Sequence, residues 1–148
     1  MHTKILCFID GDATYDPRDL KKVVKLVRKG ADMALGNRLA RIDKRAMTKY
    51  IEVGNKILTI SANLLYGIHI SDSQTGLRAI KTSVFKKLGL KEEYFGIEEE
   101  MNIKATKMGF MIKETPINYY VREGSSKQFK PIDGVKLLLT NFKFLWND

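Results

Sequence analysis

Residues 5–17 read ILCFIDGDATYDP: an unbroken apolar run, then the three aspartates Asp10, Asp12 and Asp16 within seven residues, then a proline. Apolar residues in succession, without alternation, predict a strand buried on both faces of a sheet. Three like charges in so short a turn repel one another unless a cation sits among them. The flanking segments decide what kind of sheet this is. In residues 15–30, YDPRDLKKVVKLVRKG, Asp16 stands at a helix N-cap, Pro17 at the first helical position, Asp19 three residues after the cap and Gly30 at the stop. Leu20, Val23, Val24 and Val27 form the core stripe of that helix. Residues 31–36, ADMALG, predict a second short buried strand, so the opening is strand, helix, strand, the pattern of an α/β fold with a parallel sheet. Open sheets of this kind bind ligands at the carboxyl ends of their strands, where Asp10 and Asp12 fall.

The rest of the chain continues the alternation. Residues 37–49 form a basic connector, 50–67 a long helix ending at Gly67, 70–76 a polar turn, 77–82 a strand and 84–90 a short helix. Residues 96–109 predict a helix closed by Gly109, 110–123 a strand or two broken at Pro116, and 124–127 a loop. A final amphipathic helix is assigned to 131–148. No internal repeat or low-complexity tract interrupts this order, and the 148 residues are expected to form a single domain.

A hydrophobic fraction of 44% is enough to bury a core without disulfides. The single cysteine, Cys7, lies within the apolar run and is expected to be a small buried hydrophobe. No stretch reaches the roughly 20 apolar residues of a membrane span, and no signal peptide is evident, so the chain is expected to be cytoplasmic, with peripheral contact to a membrane face. Lys plus Arg number 26 against 17 Asp plus Glu, a net charge of +9 that points to phosphate-bearing partners. Nucleic acid is one such partner by charge alone, but no nucleic-acid-binding signature accompanies the charge.

Four constellations carry possible chemistry. Asp10 and Asp12 straddle Gly11, so an extended backbone sends both side chains to one face, where they suit a hard cation such as Mg²⁺ or Mn²⁺. The alternative is a pair of turn caps. Residues 71–78, SDSQTGLR, gather Asp72, Ser73, Gln74, Thr75 and Arg78 about Gly76; a self-stabilised Asx turn is the competing reading. Residues 97–101, IEEEM, place three carboxylates in succession on a helix, of which one or two point to a site and the others are expected to be solvated. Residues 122–127, REGSSK, carry Arg122 and Lys127 around small residues, either a cover for a phosphate or a solvated basic loop.

In this order and spacing, FIDGDATYDP, ADMALGNRLA, ISDSQTGLRAIK, the long segment from GIEEEM to REGSSK and the trailing DGVKLLL resemble the family 2 glycosyltransferases. The branch most resembled is that of dolichol-phosphate mannosyltransferase and related polyprenyl-phosphate glycosyltransferases. The resemblance implies a partial GT-A (Rossmann-like) α/β fold, with a mixed, mostly parallel sheet flanked by helices, representing the C-terminal portion of a GT-A domain. It implies transfer of a sugar from a nucleotide-diphosphate sugar to a polyprenyl (dolichyl) phosphate. Asp10 and Asp12 match the pair that holds Mg²⁺ or Mn²⁺ on the donor diphosphate, and Arg38, with Arg45 beyond it, matches contacts to the acceptor phosphate. Asp72, Gln74, Arg78 and Glu100 match the catalytic positions, and Arg122, Ser126 and Lys127 the loop over the diphosphate. The strand and helices with which the family reads the nucleotide base have no counterpart in these residues. The resemblance therefore implies that the first strand is left as an open edge, with a missing, separately encoded N-terminal half, self-association through that edge, or a truncated remnant as the outcomes. A catalytically inactive module of the same fold, binding a membrane surface or a protein, is the alternative.

Overall fold

The computed structural model describes residues 4–92, 96–123 and 131–146. Strand β1 (Ile5–Phe8) leads through a 3-10 turn (Pro17–Asp19) to helix α1 (Leu20–Arg28), strand β2 (Met33–Asn37) and helix α2 (Lys49–Tyr66). Strand β3 (Arg78–Lys81), helices α3 (Thr82–Leu88) and α4 (Gly96–Lys107), strand β4 (Ile112–Pro116) and helix α5 (Pro131–Lys143) follow. Local chemistry sets the boundaries that the sequence marks. The Asp16 carboxylate accepts the Arg18 amide at 2.9 Å, and the Thr48 hydroxyl accepts the Ile51 amide at 3.4 Å to start α2. α2 ends on Gly67 at φ 66°, a left-handed conformation that glycine adopts without strain.

The four strands lie in the order β1-β3-β2-β4. β1, β2 and β4 run the same way and β3 is inserted in reverse between β1 and β2, which makes the sheet mixed, as expected. Only the β2–β4 ladder is therefore parallel. The register alternates faces: Met33 opposite Ile80 belongs to the core that α2, α3 and α4 cover, with Leu88, Met101 and Ile103. Ala34 opposite Ala79 belongs to the other face, under Val23 and Val27 of α1.

Two expectations about β1 need correction. Among the described residues β1 pairs with β3 alone, so it is the sheet edge that the resemblance implies, but its residues are half-buried where burial on both faces was expected. Cys7 is exposed for the same reason: it belongs to a strand with one open side. A run of apolar residues does not distinguish a central strand from an edge, because that depends on which strands dock beside it.

Candidate active site

The reversed β3 brings the candidate residues to one edge of the sheet. Arg78, the first residue of β3, stands opposite both Phe8 at the end of β1 and Leu35 in β2. The turn that precedes β3 therefore meets the segments that leave the carboxyl ends of β1 and β2. Asn37 stands opposite Pro116, which brings the chain beyond β4 to the same edge. There a cleft of about 430 Å³ opens, lined among others by Asp10, Asp12, Arg38, Gln74, Glu98 and Arg122.

Asp10 and Asp12 both face this cleft. Asp12 accepts the Thr14 hydroxyl at 2.5 Å and the Thr14 amide at 3.2 Å through one oxygen, and its other oxygen pairs with Arg122 at 2.8 Å. The backbone secures this pairing, since the Tyr120 amide donates to the Thr14 carbonyl at 2.9 Å and the Glu123 amide to the Asp12 carbonyl at 3.2 Å. Asp10 packs over Gly76, where a Cβ would fall 2.4 Å from the carboxylate; only glycine leaves that room. Burial and the neighbouring Asp12 charge hold the Asp10 pKa above the usual aspartate value, against the pull of Arg38, Arg122 and Arg78. Among the described residues no three His, Cys, Asp or Glu side chains gather as a metal nest. The chain thus offers a cation two hard carboxylates, one of them already charge-paired.

Behind the cleft lies a buried polar layer. Asp72 accepts Arg38 bidentately, Nε and Nη2 each at 2.8 Å, and the Arg38 amide at 3.0 Å. Burial works against the Arg38 charge, but the Asp72 carboxylate more than offsets it, so the guanidinium pKa lies well above its usual value. The same guanidinium rests over the Tyr119 ring at 5.3 Å. Arg78, only 1% exposed, donates to the carbonyls of Ser73, Thr75 and Glu98 and to Asn102 Oδ1 at 2.7–3.1 Å. It thereby fixes the turn and joins it to the first turn of α4. Glu114 accepts the Ser71 amide at 2.8 Å and the Asp72 amide at 3.2 Å, while Tyr15 Oη accepts the Gly76 amide at 2.7 Å.

The three α4 carboxylates have separate surroundings, and the two that do not line the cleft are buried where solvation was expected. Glu98 lines the cleft, one of its oxygens is buried without a hydrogen-bond partner, and burial raises its pKa against the opposing Arg78 charge. Glu99 is fully buried, accepts Gln74 Nε2 at 2.6 Å through Oε2, and has Oε1 unpartnered. Burial pushes its pKa up to about 7, opposed by the Arg78 charge and the Gln74 hydrogen bond. Glu100, matched by sequence to a catalytic position, faces away from the cleft. It accepts the amides of Lys91 and Glu92 and pairs with Lys104 at 2.7 Å.

Of the other sequence-predicted residues, Arg38, Gln74 and Arg122 come together with Asp10 and Asp12, and Asp72 stands directly behind Arg38. Arg78 is a buried strut without a face on this cleft. Arg45 is exposed, pairs with Asp43 at 3.1 Å and is not among the cleft residues. Ser126 and Lys127 lie outside the described residues. Sequence reasoning missed Glu98, Tyr15 and Tyr119; the only available signal was the position of Glu98 in the IEEEM run, one helical turn before Asn102.

Two outcomes test this layout. Arg78→Ala should lower the unfolding free energy by roughly 3–5 kcal/mol in a denaturant titration, because it leaves buried acceptors without a donor, whereas Arg45→Ala should change it by no more than about 0.5 kcal/mol. Glu99 has a pKa raised on folding, from 4.5 to about 7, so its protonation stabilises the fold at low pH and that contribution disappears as pH rises to about 7. Glu99→Gln, which mimics the protonated form, should therefore gain stability relative to the parent between pH 5 and pH 8, by up to about 3 kcal/mol, and thermal melts at the two pH values will read it.

Comparison with known proteins assigns the family. Residues 1–89 match the model of the glycosyl transferase family 2. The chain is 33% identical over 137 residues to glycosyltransferase AglJ of Haloferax volcanii, an alignment covering 91% of this chain and 45% of that protein. It is 30% identical over 118 residues to the dolichyl-phosphate hexose transferase of the same organism, covering 80% of this chain and 51% of the relative. Among solved structures, glucosyl-3-phosphoglycerate synthase from Mycobacterium tuberculosis superposes with a TM-score of 0.66 at 16% identity, covering 97% of this chain and 50% of that one, which identifies the GT-A fold. The chain thus spans about half the length of these relatives. With the family model matched over more than half of its residues and the fold in agreement, the chain belongs to the family 2 glycosyltransferases.

Proposed function

We propose that this chain forms the metal- and acceptor-binding portion of an enzyme that transfers a sugar from a nucleotide diphosphate to a polyprenyl phosphate. The observation that carries the reading is the gathering of Asp10, Asp12, Arg38, Gln74, Glu98 and Arg122 in one cleft at the strand ends. The names of relatives, among them the dolichyl-phosphate hexose transferase, supply the acceptor class. A phosphate oxygen of the acceptor attacks the anomeric carbon as the bond from that carbon to the diphosphate breaks, and the nucleoside diphosphate leaves. The acceptor is already anionic near neutral pH, so the protein needs no strong base. Its work is to neutralise charge and to align the two reactants.

Asp10 and Asp12 would hold Mg²⁺ or Mn²⁺, which when bound offsets the charge of the departing diphosphate. Arg122, now paired with Asp12, is placed to exchange that carboxylate for a phosphate oxygen, with Lys127 assigned to the same task. Arg38, held by Asp72, presents a fixed cation to the acceptor phosphate. Glu98 and Gln74 are hydrogen-bonding groups for sugar hydroxyls.

A catalytically silent module of the same fold is the second reading, favoured by one observation: Asp12 is already neutralised by Arg122. Calorimetry separates the two. Under the first reading, UDP-glucose, UDP-N-acetylglucosamine or GDP-mannose binds with Mn²⁺ present and not with chelator. Asp10→Ala or Asp12→Ala abolishes that binding, and acidification weakens it at a pH above the ordinary aspartate range because the Asp10 pKa is raised. Arg122→Ala slows transfer by about 10²–10³-fold while changing acceptor affinity much less. Binding that ignores both chelator and the two aspartates would support the silent module.

A further inference from the structure

Gln74 reaches the cleft from a turn whose backbone is already fixed. Arg78 takes the carbonyls on either side of it, Ser73 and Thr75, each at 2.7 Å. What remains free is the rotation of the Gln74 side chain, and with it which end of the amide a ligand meets. The nitrogen end is turned inward. Nε2 donates to Glu99 Oε2 at 2.6 Å and to Ser73 Oγ at 3.4 Å, so both of its hydrogens are engaged. Gln74 Oε1 has no partner among the described residues and is not sealed from solvent. The carbonyl oxygen is therefore the atom offered to the cleft.

Glu99 decides that orientation. Reversing the amide would set Gln74 Oε1 against Glu99 Oε2, acceptor against acceptor, at a fully buried position. A buried acceptor left without a donor costs about 1–3 kcal/mol. Ser73 Oγ favours the same orientation, since it accepts the Thr59 hydroxyl at 3.2 Å as well as Gln74. A proton on Glu99 does not change the outcome: Oε1 is the oxygen without a partner, so the proton enters there and Oε2 remains an acceptor in both charge states. The fold itself has no use for a carboxyl at this position. One of its oxygens is buried without a donor, a cost that a methionine of similar length would avoid.

We propose that Glu99 is a positioning residue that turns the Gln74 carbonyl oxygen into the cleft, so that this point of the site selects a ligand group that donates a hydrogen bond. A hydroxyl is held there, whereas an ionised phosphate oxygen, which only accepts, is refused. That the hydroxyl belongs to a sugar carried on a nucleoside diphosphate rests on the function proposed above; the orientation of Gln74 does not.

One arm of the test uses the free chain. Gln74 and Gln128 are its only glutamines, so isotope labelling of glutamine side chains gives an amide pair for each in NMR, and Gln74→Leu identifies the first. In the parent the Gln74 pair should exchange with solvent more slowly than a free glutamine amide, on either side of neutral pH. Exchange at the free rate overturns the positioning without any variant. Glu99→Met should shift the pair and speed its exchange, whereas Glu99→Gln, whose amide oxygen can replace Oε2, should preserve both; a pair that Glu99→Met leaves unmoved overturns the proposal. The other arm is calorimetry with Mn²⁺, comparing UDP-glucose with UDP and GDP-mannose with GDP. Glu99→Met should weaken the nucleotide sugar about tenfold and the nucleoside diphosphate by less than about twofold, with Glu99→Gln close to the parent. Equal weakening of the sugar nucleotide and its diphosphate overturns the selection, since a merely structural loss would not separate them. Gln74→Leu, on the cleft side of the contact, should give the same split if Glu99→Met does not fold. A parent that binds neither nucleotide sugar sinks the transfer reading, and the amide arm alone then decides the positioning.

Discussion

A guanidinium sealed inside the protein sets the geometry of this cleft. Arg78 reaches three backbone carbonyls and one amide oxygen, and those acceptors belong to two separate pieces of chain, the turn at 73–75 and the first turns of α4. A buried cation of this kind is expensive to desolvate and persists only where its donors are filled. Here the filling is what gives the surrounding backbone its shape. With the turn tied to α4, Gln74 and Glu98 become neighbours in the cleft. β3 in turn fixes where Arg78 stands, because its register sets that residue opposite the end of β1 and against β2 at once.

A second buried pair, Arg38 with Asp72, orients a positive charge where the first organises backbone. Glu114 from β4 holds the Asp72 amide, so three of the four strands contribute to the position of one cation. The wall formed by Asp12, Thr14 and Arg122 closes through backbone hydrogen bonds between the segment after β1 and the segment after β4. The resulting electrostatics are mixed: Asp10, Asp12 and Glu98 face Arg38 and Arg122 across a cleft of about 430 Å³. A site for a lone anion would carry only cations. Interleaved charges suit a ligand that brings both signs, as a metal-bound diphosphate does, and that exchanges partners with an ion pair already in place.

The elements legible in the sequence are those whose signals are local. Asp16, Pro17 and Gly30 bound the turn and α1 because caps and stops act within a few residues, and β2 follows from a run that is buried throughout. The DxD pair, Arg38, Gln74 and Arg122 were found through ordered motifs, and the structure gathers them. What escaped reading depends on contacts distant in sequence. How far ILCF is buried is decided by neighbouring strands. Which of Glu98, Glu99 and Glu100 faces the cleft is decided by how α4 is rotated, since consecutive helical residues diverge by about 100°. Glu100 was drawn instead to the free amides of Lys91 and Glu92, a capping role set by the loop ahead of α4. Tyr15 and Tyr119 stack edge to face at 5.2 Å across 104 residues of chain, and nothing in either flank announces the other.

α2 joins these threads. Its inner face packs against the fold, while Tyr50, Val53, Ile57, Ile60 and Leu64 leave an apolar stripe exposed among the described residues. Stability does not require that stripe: polar residues on the outer face would keep α2 helical, since Thr48 and Gly67 cap it and its inner face packs regardless. The outer residues are therefore best explained by something other than the folding of this chain. Because Ile51 and Asn55 reach the cleft from the same helix, whatever covers the outer stripe lies beside the candidate site. A single helix thus connects the surface the molecule leaves open to the chemistry its interior organises.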